Sequence, residues 1–96
     1  MNQLTINSII QKNEDVVDAQ IDDGTVMLDV ESGHYYGLDA IATHIWQIIE
    51  QPQSVRHICD KLQAEYDVAE QQCQSDVIRF LNDMLDIDKV CIVATK

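Results

Sequence analysis

Between Val16 and Leu38 apolar positions alternate with polar ones, and two turn signals, Asp22-Asp23-Gly24 and Glu31-Ser32-Gly33, cut the stretch into three short runs. Alternation sends successive side chains to opposite faces of a strand. Read with period two, Val17, Ala19 and Ile21 share a face, as do Val26, Leu28 and Val30, then Tyr36 and Leu38. This predicts a three-stranded antiparallel meander with one apolar face, because the glycine-containing turns are too short for parallel crossovers. Leu4 to Ile10 is expected to add another short strand.

From Asp39 the period becomes helical. Asp39 is placed to cap a first helix whose Ile41, Ala42, Ile45, Trp46, Ile48 and Ile49 make a broad apolar stripe, with Trp46 as a core anchor, and Pro52 forbids its continuation. Ser54 is a second N-cap, and Val55, Ile58, Cys59, Leu62 and Tyr66 then recur at helical spacing. A third helix is expected from Glu70 to Asp86, followed by an apolar end, Val90 to Val93, that pairs as a strand or packs as a tail.

The third helix is apolar over too wide an arc. With about 100° per residue, Cys73, Val77, Leu81 and Met84 form its centre, Phe80 and Ile87 one margin, and Ile78 and Leu85 the other. Roughly half the circumference is apolar, against the ~100° stripe of a helix with one wet face. Either the rest of the domain covers both flanks, or one flank is left for a partner. Asp76 and Asp83 border the Phe80 and Ile87 margin and give it an acidic rim. The third strand, as the last of a meander, is a candidate sheet edge, and it carries His34, Tyr35, Tyr36, Gly37 and Leu38. An open edge offers unpaired N–H and C=O groups to an incoming strand.

Three strands followed by three helices make an α+β fold, with the helices packed on the apolar face of the sheet and an arrangement resembling a winged helix-turn-helix. Ninety-six residues suit a single domain over 1–96 with its core at about 16–93. The hydrophobic fraction of 46% predicts a real core rather than disorder. Charge changes the picture more. Seventeen acids against six bases leave a net −11, and the stretch from Asn13 to Asp39 holds eight acids and no base. Such a surface repels phosphate backbones and anionic lipid, so nucleic acid and membranes are not expected partners; a peptide or protein is. The N-terminal residues carry no signal-peptide pattern, no stretch reaches the ~18 apolar residues of a membrane span, and three widely spaced cysteines suit reduced thiols, so a cytoplasmic location is expected.

Catalytic and metal chemistry find little support. His57 and Cys59 are the one close His/Cys pair, but residues two apart on a helix do not face one ligand. Cys73 and Cys91 fall on apolar faces, the carboxylates are dispersed, and Gly24, Gly33 and Gly37 form no phosphate loop. No catalytic residue, metal ligand or cofactor site is assigned.

The string DGTVMLDVESGHYYGLDAIATHIW, Asp23 to Trp46, resembles the PqqD-like family of recognition domains that bind precursor peptides of ribosomally made, post-translationally modified natural products. The family pattern is an apolar strand, a turn, a G-x-Y-Y-x-L-[ND] strand end and a helix with an I-W or I-L pair. The likeness continues through Ser54-Val55, Tyr66-Asp67-Val68, Asp76-Val77 and Phe80-Leu81, covering Val16 to Val93. Asp39 stands where Asn is more frequent, a small change at a capping position.

This resemblance implies that the leader of a precursor adds as a strand to the third strand and lies against the third helix. The peptide-binding residues are then expected among His34, Tyr35, Tyr36, Gly37, Leu38, Asp76, Phe80, Asp83 and Ile87. The G-H-Y-Y-G-L-D version looks most like the stand-alone proteins of lasso-peptide pathways, which implies presentation of the precursor to a separate cysteine protease resembling transglutaminases. Leaders in such pathways commonly carry a Tyr and a Pro that suit an apolar pocket beside Phe80. The alternatives are a chaperone of the pyrroloquinoline quinone type serving a radical-SAM enzyme, or a winged-helix adaptor for protein or DNA.

Overall fold

A computed structural model describes residues 4–14, 16–22 and 24–95. Its elements follow as β1 (Ser8–Lys12), β2 (Val17–Ile21), β3 (Gly24–Leu28), β4 (Tyr35–Leu38), α1 (Ala40–Ile48), β5 (Gln53–Ser54), α2 (Val55–Glu65), α3 (Glu70–Asp86) and β6 (Val90–Thr95). The helices begin where local chemistry requires. Asp39 Oδ1 accepts from the Ala42 amide at 2.8 Å, and Ser54 Oγ accepts from the His57 amide at 3.0 Å, each satisfying an amide that the first helical turn leaves free.

The strands form two antiparallel sheets of three, in the orders β2-β3-β4 and β5-β1-β6. The first is the expected meander, joined at one end by a turn in which Asp22 takes a φ of 55°. At the other end, Asp29 builds the turn into β4. Its carboxylate accepts from the Glu31 amide and the Ser32 hydroxyl, while its carbonyl receives the amide of Gly33, whose φ of 75° glycine adopts without penalty.

The meander's inward face is a correction to the sequence reading. Met27 pairs across from Tyr36 and Thr25 from Leu38, so Met27 and Thr25, not Val26 and Leu28, share the face of Tyr36 and Leu38. Met27 is fully buried and Thr25 is 3% exposed, and both lie on the side where α1 packs. Loop length sets this parity, since moving a strand by one residue exchanges its faces. Val17, Leu28 and Tyr35 therefore lie together on the outer face, and Val30 falls in the loop.

The second sheet exceeds what local patterning announced. β1 covers Ser8–Lys12 rather than Leu4 to Ile10, and the apolar end pairs with it as β6, with the register shifting between Ile9 and Ile10. One core runs between the two sheets through Ile10, Ile49, Val55, Ile58, Val77 and Leu81, all fully buried. Trp46 of α1 joins the halves: its indole N–H donates to Asp18 of β2, and the Lys12 ammonium of β1 lies 4.5 Å from its ring centroid.

The Thr25 hydroxyl is buried and has no hydrogen-bond partner among the described residues. An unmet buried hydroxyl costs about 1–3 kcal/mol, so Thr25→Val is expected to raise stability by roughly 1 kcal/mol. Urea unfolding followed by far-UV circular dichroism measures this directly; a loss of stability would mean that the hydroxyl is satisfied in solution.

Candidate functional site

β4 closes its sheet on one side only. β3 pairs with it, and no other strand among the described residues does. The Asp29 amide donates to the His34 carbonyl at 2.8 Å, which makes positions 29 and 34 a hydrogen-bonded pair. Antiparallel pairing alternates bonded with non-bonded pairs, so Met27/Tyr36 and Thr25/Leu38 are also bonded. The main-chain groups of Tyr35 and Gly37 are thereby turned to the open edge, giving two amides and two carbonyls. Among the described residues nothing lies within 4 Å of the position a Gly37 side chain would take, so the outer face of the sheet is open there.

Gly24 holds the opposite side of this edge in place. A Cβ on it would come within 2.8 Å of the Leu38 carbonyl oxygen, a backbone atom with no rotamer by which to yield. Glycine at the start of β3 thus permits the close approach that ends β4.

Across from β4 stands α3. Cys73, Val77, Leu81 and Met84 are buried, and the flanking Phe80 and Ile87 are half-buried. A cleft of about 650 Å³ separates strand from helix, with an apolar floor of Tyr36, Leu38, Ala42, Phe80, Met84 and Ile87 and with Asp39, Asp83 and Asp86 around it. At its Tyr36 and Ile87 end it adjoins a wider acidic basin that includes Glu14, Asp29, Glu31 and Asp88. Ile78, on the other flank of α3, lies in a shallow polar surface with Gln71, Gln74 and Asn82.

Of the residues expected at the site, Tyr35, Tyr36, Gly37, Leu38, Phe80, Asp83 and Ile87 line the cleft together. His34 and Asp76 do not line it. His34 belongs to the turn, its amide donating to Ser32 Oγ. Asp76 is engaged along its own helix, accepting from Arg79 and from Gln72, both at 2.9 Å. Asp39, Ala42, Met84 and Asp86 line the cleft unannounced. Asp39 and Ala42 were legible only as helix start and stripe, because what brings α1 beside β4 is the tight turn at Asp39. Tyr35 is divided between two surfaces, its backbone on the open edge and its side chain, in a residue 71% exposed, on the outer face.

Thiol chemistry is unfavourable in the core. Burial pushes the Cys59 thiol up to about 12, with neighbouring Cys73 adding to the rise, and burial likewise raises Cys73. A thiol held protonated is a poor nucleophile and a poor metal ligand. Cys59 is buried while His57 is exposed, so the one close His/Cys pair diverges. Among the described residues, no three His, Cys, Asp or Glu side chains gather as a metal site would require, and no helix is long and apolar enough to cross a membrane.

The family model described as coenzyme PQQ synthesis protein D (PqqD) matches residues 24–88. A solved structure of TbiB1 in complex with the TbiA(beta) leader peptide is 32% identical, superposes with a TM-score of 0.77, and is matched over 83% of this chain and 93% of that one. A structure of lasso peptide synthetase B1 complexed with the leader peptide shares the fold at a TM-score of 0.76 and 24% identity, over 85% of this chain and 96% of the other. Comparison with curated proteins gave no match.

Proposed function

The chain belongs to the PqqD family, and from that premise we propose that it is a non-catalytic docking protein, which holds the leader of a ribosomally synthesised precursor peptide in the β4–α3 cleft and presents it to a separate processing enzyme. The observation that carries this reading is the open edge of β4, with the main-chain groups of Tyr35 and Gly37 facing a cleft walled by Phe80 and Ile87. An extended peptide satisfies those groups as an added strand while its inward side chains reach the apolar floor. The neighbour at 32% identity is itself bound to a leader peptide, which supports a leader as the ligand; a lasso leader, and a cysteine protease resembling transglutaminases as the enzyme served, are carried over from the family resemblance.

Magnitudes divide the labour. Four main-chain hydrogen bonds at about 0.5–1.5 kcal/mol each contribute roughly 2–6 kcal/mol, whereas a micromolar complex requires about 8 kcal/mol. Ordering a flexible leader costs more still. Apolar side chains buried against Phe80, Ile87 and Leu38 must therefore supply much of the affinity, and the backbone supplies direction. The carboxylates of Asp83 and Asp86 favour a leader with basic residues beside its apolar anchors. Once docked, the leader raises the effective concentration of its cleavage site at the protease.

Strand addition is tested with fluorescein-labelled leader peptides N-methylated at single positions and read by fluorescence polarisation. Methylation of amides in the register facing β4 is expected to weaken binding about tenfold each, the loss of one bond and of close approach; the alternate register is expected to stay within about twofold. Equal tolerance at every position would rule the mode out. A DNA-binding adaptor is disfavoured by the net −11, and a salt titration separates the two, because DNA binding weakens steeply with salt.

A further inference from the structure

Gly37 is a glycine that the chain itself does not need. Its φ lies outside the left-handed region, the β3–β4 register runs through it without a bulge, and a Cβ would meet nothing within 4 Å among the described residues. Gly24 and Gly33 differ, since one is required by the nearby Leu38 carbonyl and the other by a φ of 75°. Glycine inside a strand loses more freedom on folding than a strand-forming residue does, and it has no side chain to pack. Strand addition does not require it either, because pairing along an edge uses main-chain groups and leaves each Cβ above or below the sheet. What the missing side chain provides is room on the outer face, at the edge where β4 is open. Val26 lies directly across from Gly37 in β3 and is half-buried, and Tyr35, two residues along on the same face, is 71% exposed. The result is a hollow with Val26 on one side and Tyr35 at one end, open toward the place of an added strand.

We propose that Gly37 determines specificity by admitting one aromatic side chain of the bound leader, which points away from the cleft and lies across the bare backbone against Val26 and beside Tyr35. The inference rests on the strand addition to β4 proposed above. In an added strand, the residue level with Gly37 shares its face, so its side chain is directed outward while its neighbours enter the cleft. The Cα atoms of that residue and of Val26 stand about 10 Å apart, a bonded pair followed by a non-bonded one. An aromatic ring bridges that gap over a glycine, whereas a methyl does not. An aromatic residue opposite an edge glycine also restores the packing that the glycine lacks. The surroundings select a ring over a charged group, since Ala19, Val26, Leu28 and Tyr35 on this face carry no charge. Shape selects a single side chain over a docked surface. The exposed Tyr35 side chain stands beside the hollow and keeps a flat face from settling into it.

Fluorescein-labelled leaders of the cognate precursor, each with Phe or Ala at one position in turn, are titrated by fluorescence polarisation against the full chain and its Gly37→Thr variant. In the parent, one position, alternating with those that need apolar residues for the cleft, is expected to favour Phe over Ala about tenfold, or ~1.4 kcal/mol. In Gly37→Thr the new side chain lifts the ring off the strand, and that ratio is expected to fall to about twofold. Preferences at the cleft-facing positions are expected to stay within about twofold of the parent. Threonine is also expected to raise the urea midpoint, because it suits a strand and finds open space. A Phe preference that is absent from the parent, or that survives intact in Gly37→Thr, overturns the proposal. So does a threonine variant that unfolds at lower urea, since the chain would then need the glycine for itself. A parent that binds no leader refutes strand addition and this inference together, whereas leader binding with methylation-sensitive amides and no ratio dependent on Gly37 refutes this inference alone.

Discussion

Phe80→Asp weakens leader binding about a hundredfold in the expected outcome, while far-UV circular dichroism and oligomeric state stay unchanged. Phe80 is half-buried on the wall of the cleft facing β4. Burying a phenylalanine-sized contact is worth about 1.5–3 kcal/mol, and a carboxylate in its place adds desolvation on docking, so a loss near 3 kcal/mol is expected. The exchange Phe80→Asp/Asp83→Phe keeps composition and net charge and moves the ring one turn off its place, so general electrostatics cannot account for a loss. Fluorescence polarisation with labelled leader reads both variants. Affinity within threefold of the parent in either would remove Phe80 from the site and, with it, the assignment of this flank of α3 to the peptide.

The largest effect on stability is expected at Trp46, which is 2% exposed and touches both sheets. Trp46→Ala is expected to cost about 3–5 kcal/mol. A chain of this length has only about 5–14 kcal/mol to lose, so the variant should unfold at markedly lower urea. Trp46→Phe separates the two contributions. It keeps most of the ring and leaves the Asp18 carboxylate without its indole donor, at an expected cost of about 1–2 kcal/mol. Circular dichroism must be the probe, because the variants lose the one tryptophan. An alanine variant within 1 kcal/mol of the parent would show that the two sheets are held together elsewhere.

Helical parts of this fold are legible in the sequence because their causes are local. The cap at Asp39, the stop at Pro52, the cap at Ser54 and the limits of α3 each depend on residues within one or two turns, and the structure places all of them as the pattern predicts. Sheet details are not local. The pairing of β1 with β6 joins residues from opposite ends of the chain, and no periodicity within either strand names its partner. The facing of the meander turned on parity through the Asp29–His34 turn, which alternation within each strand cannot reveal. The same division holds at the site. The wide apolar arc of α3 and the tyrosine-bearing edge were readable and lie on the two sides of one cleft, whereas separating Asp83 from Asp76 required knowing that Arg79 and Gln72 engage the latter.

Lys89 lies between α3 and β6, nearly buried, with its ammonium 3.7 Å from Asp29 at the start of the turn into β4. The Asp29 carboxyl is held below its usual range, first by the Ser32 hydroxyl and also by Lys89, so at neutral pH it remains charged for that pairing. The segment that follows α3 and the turn that leads into β4 are thus linked by an ion pair in the basin that adjoins the cleft. The consequence is kinetic. A contact that draws one wall toward the other favours a slot of fixed width, so leader capture is expected to show a single phase in stopped-flow fluorescence, without a separate closing step, at a rate set by the straightening of the peptide.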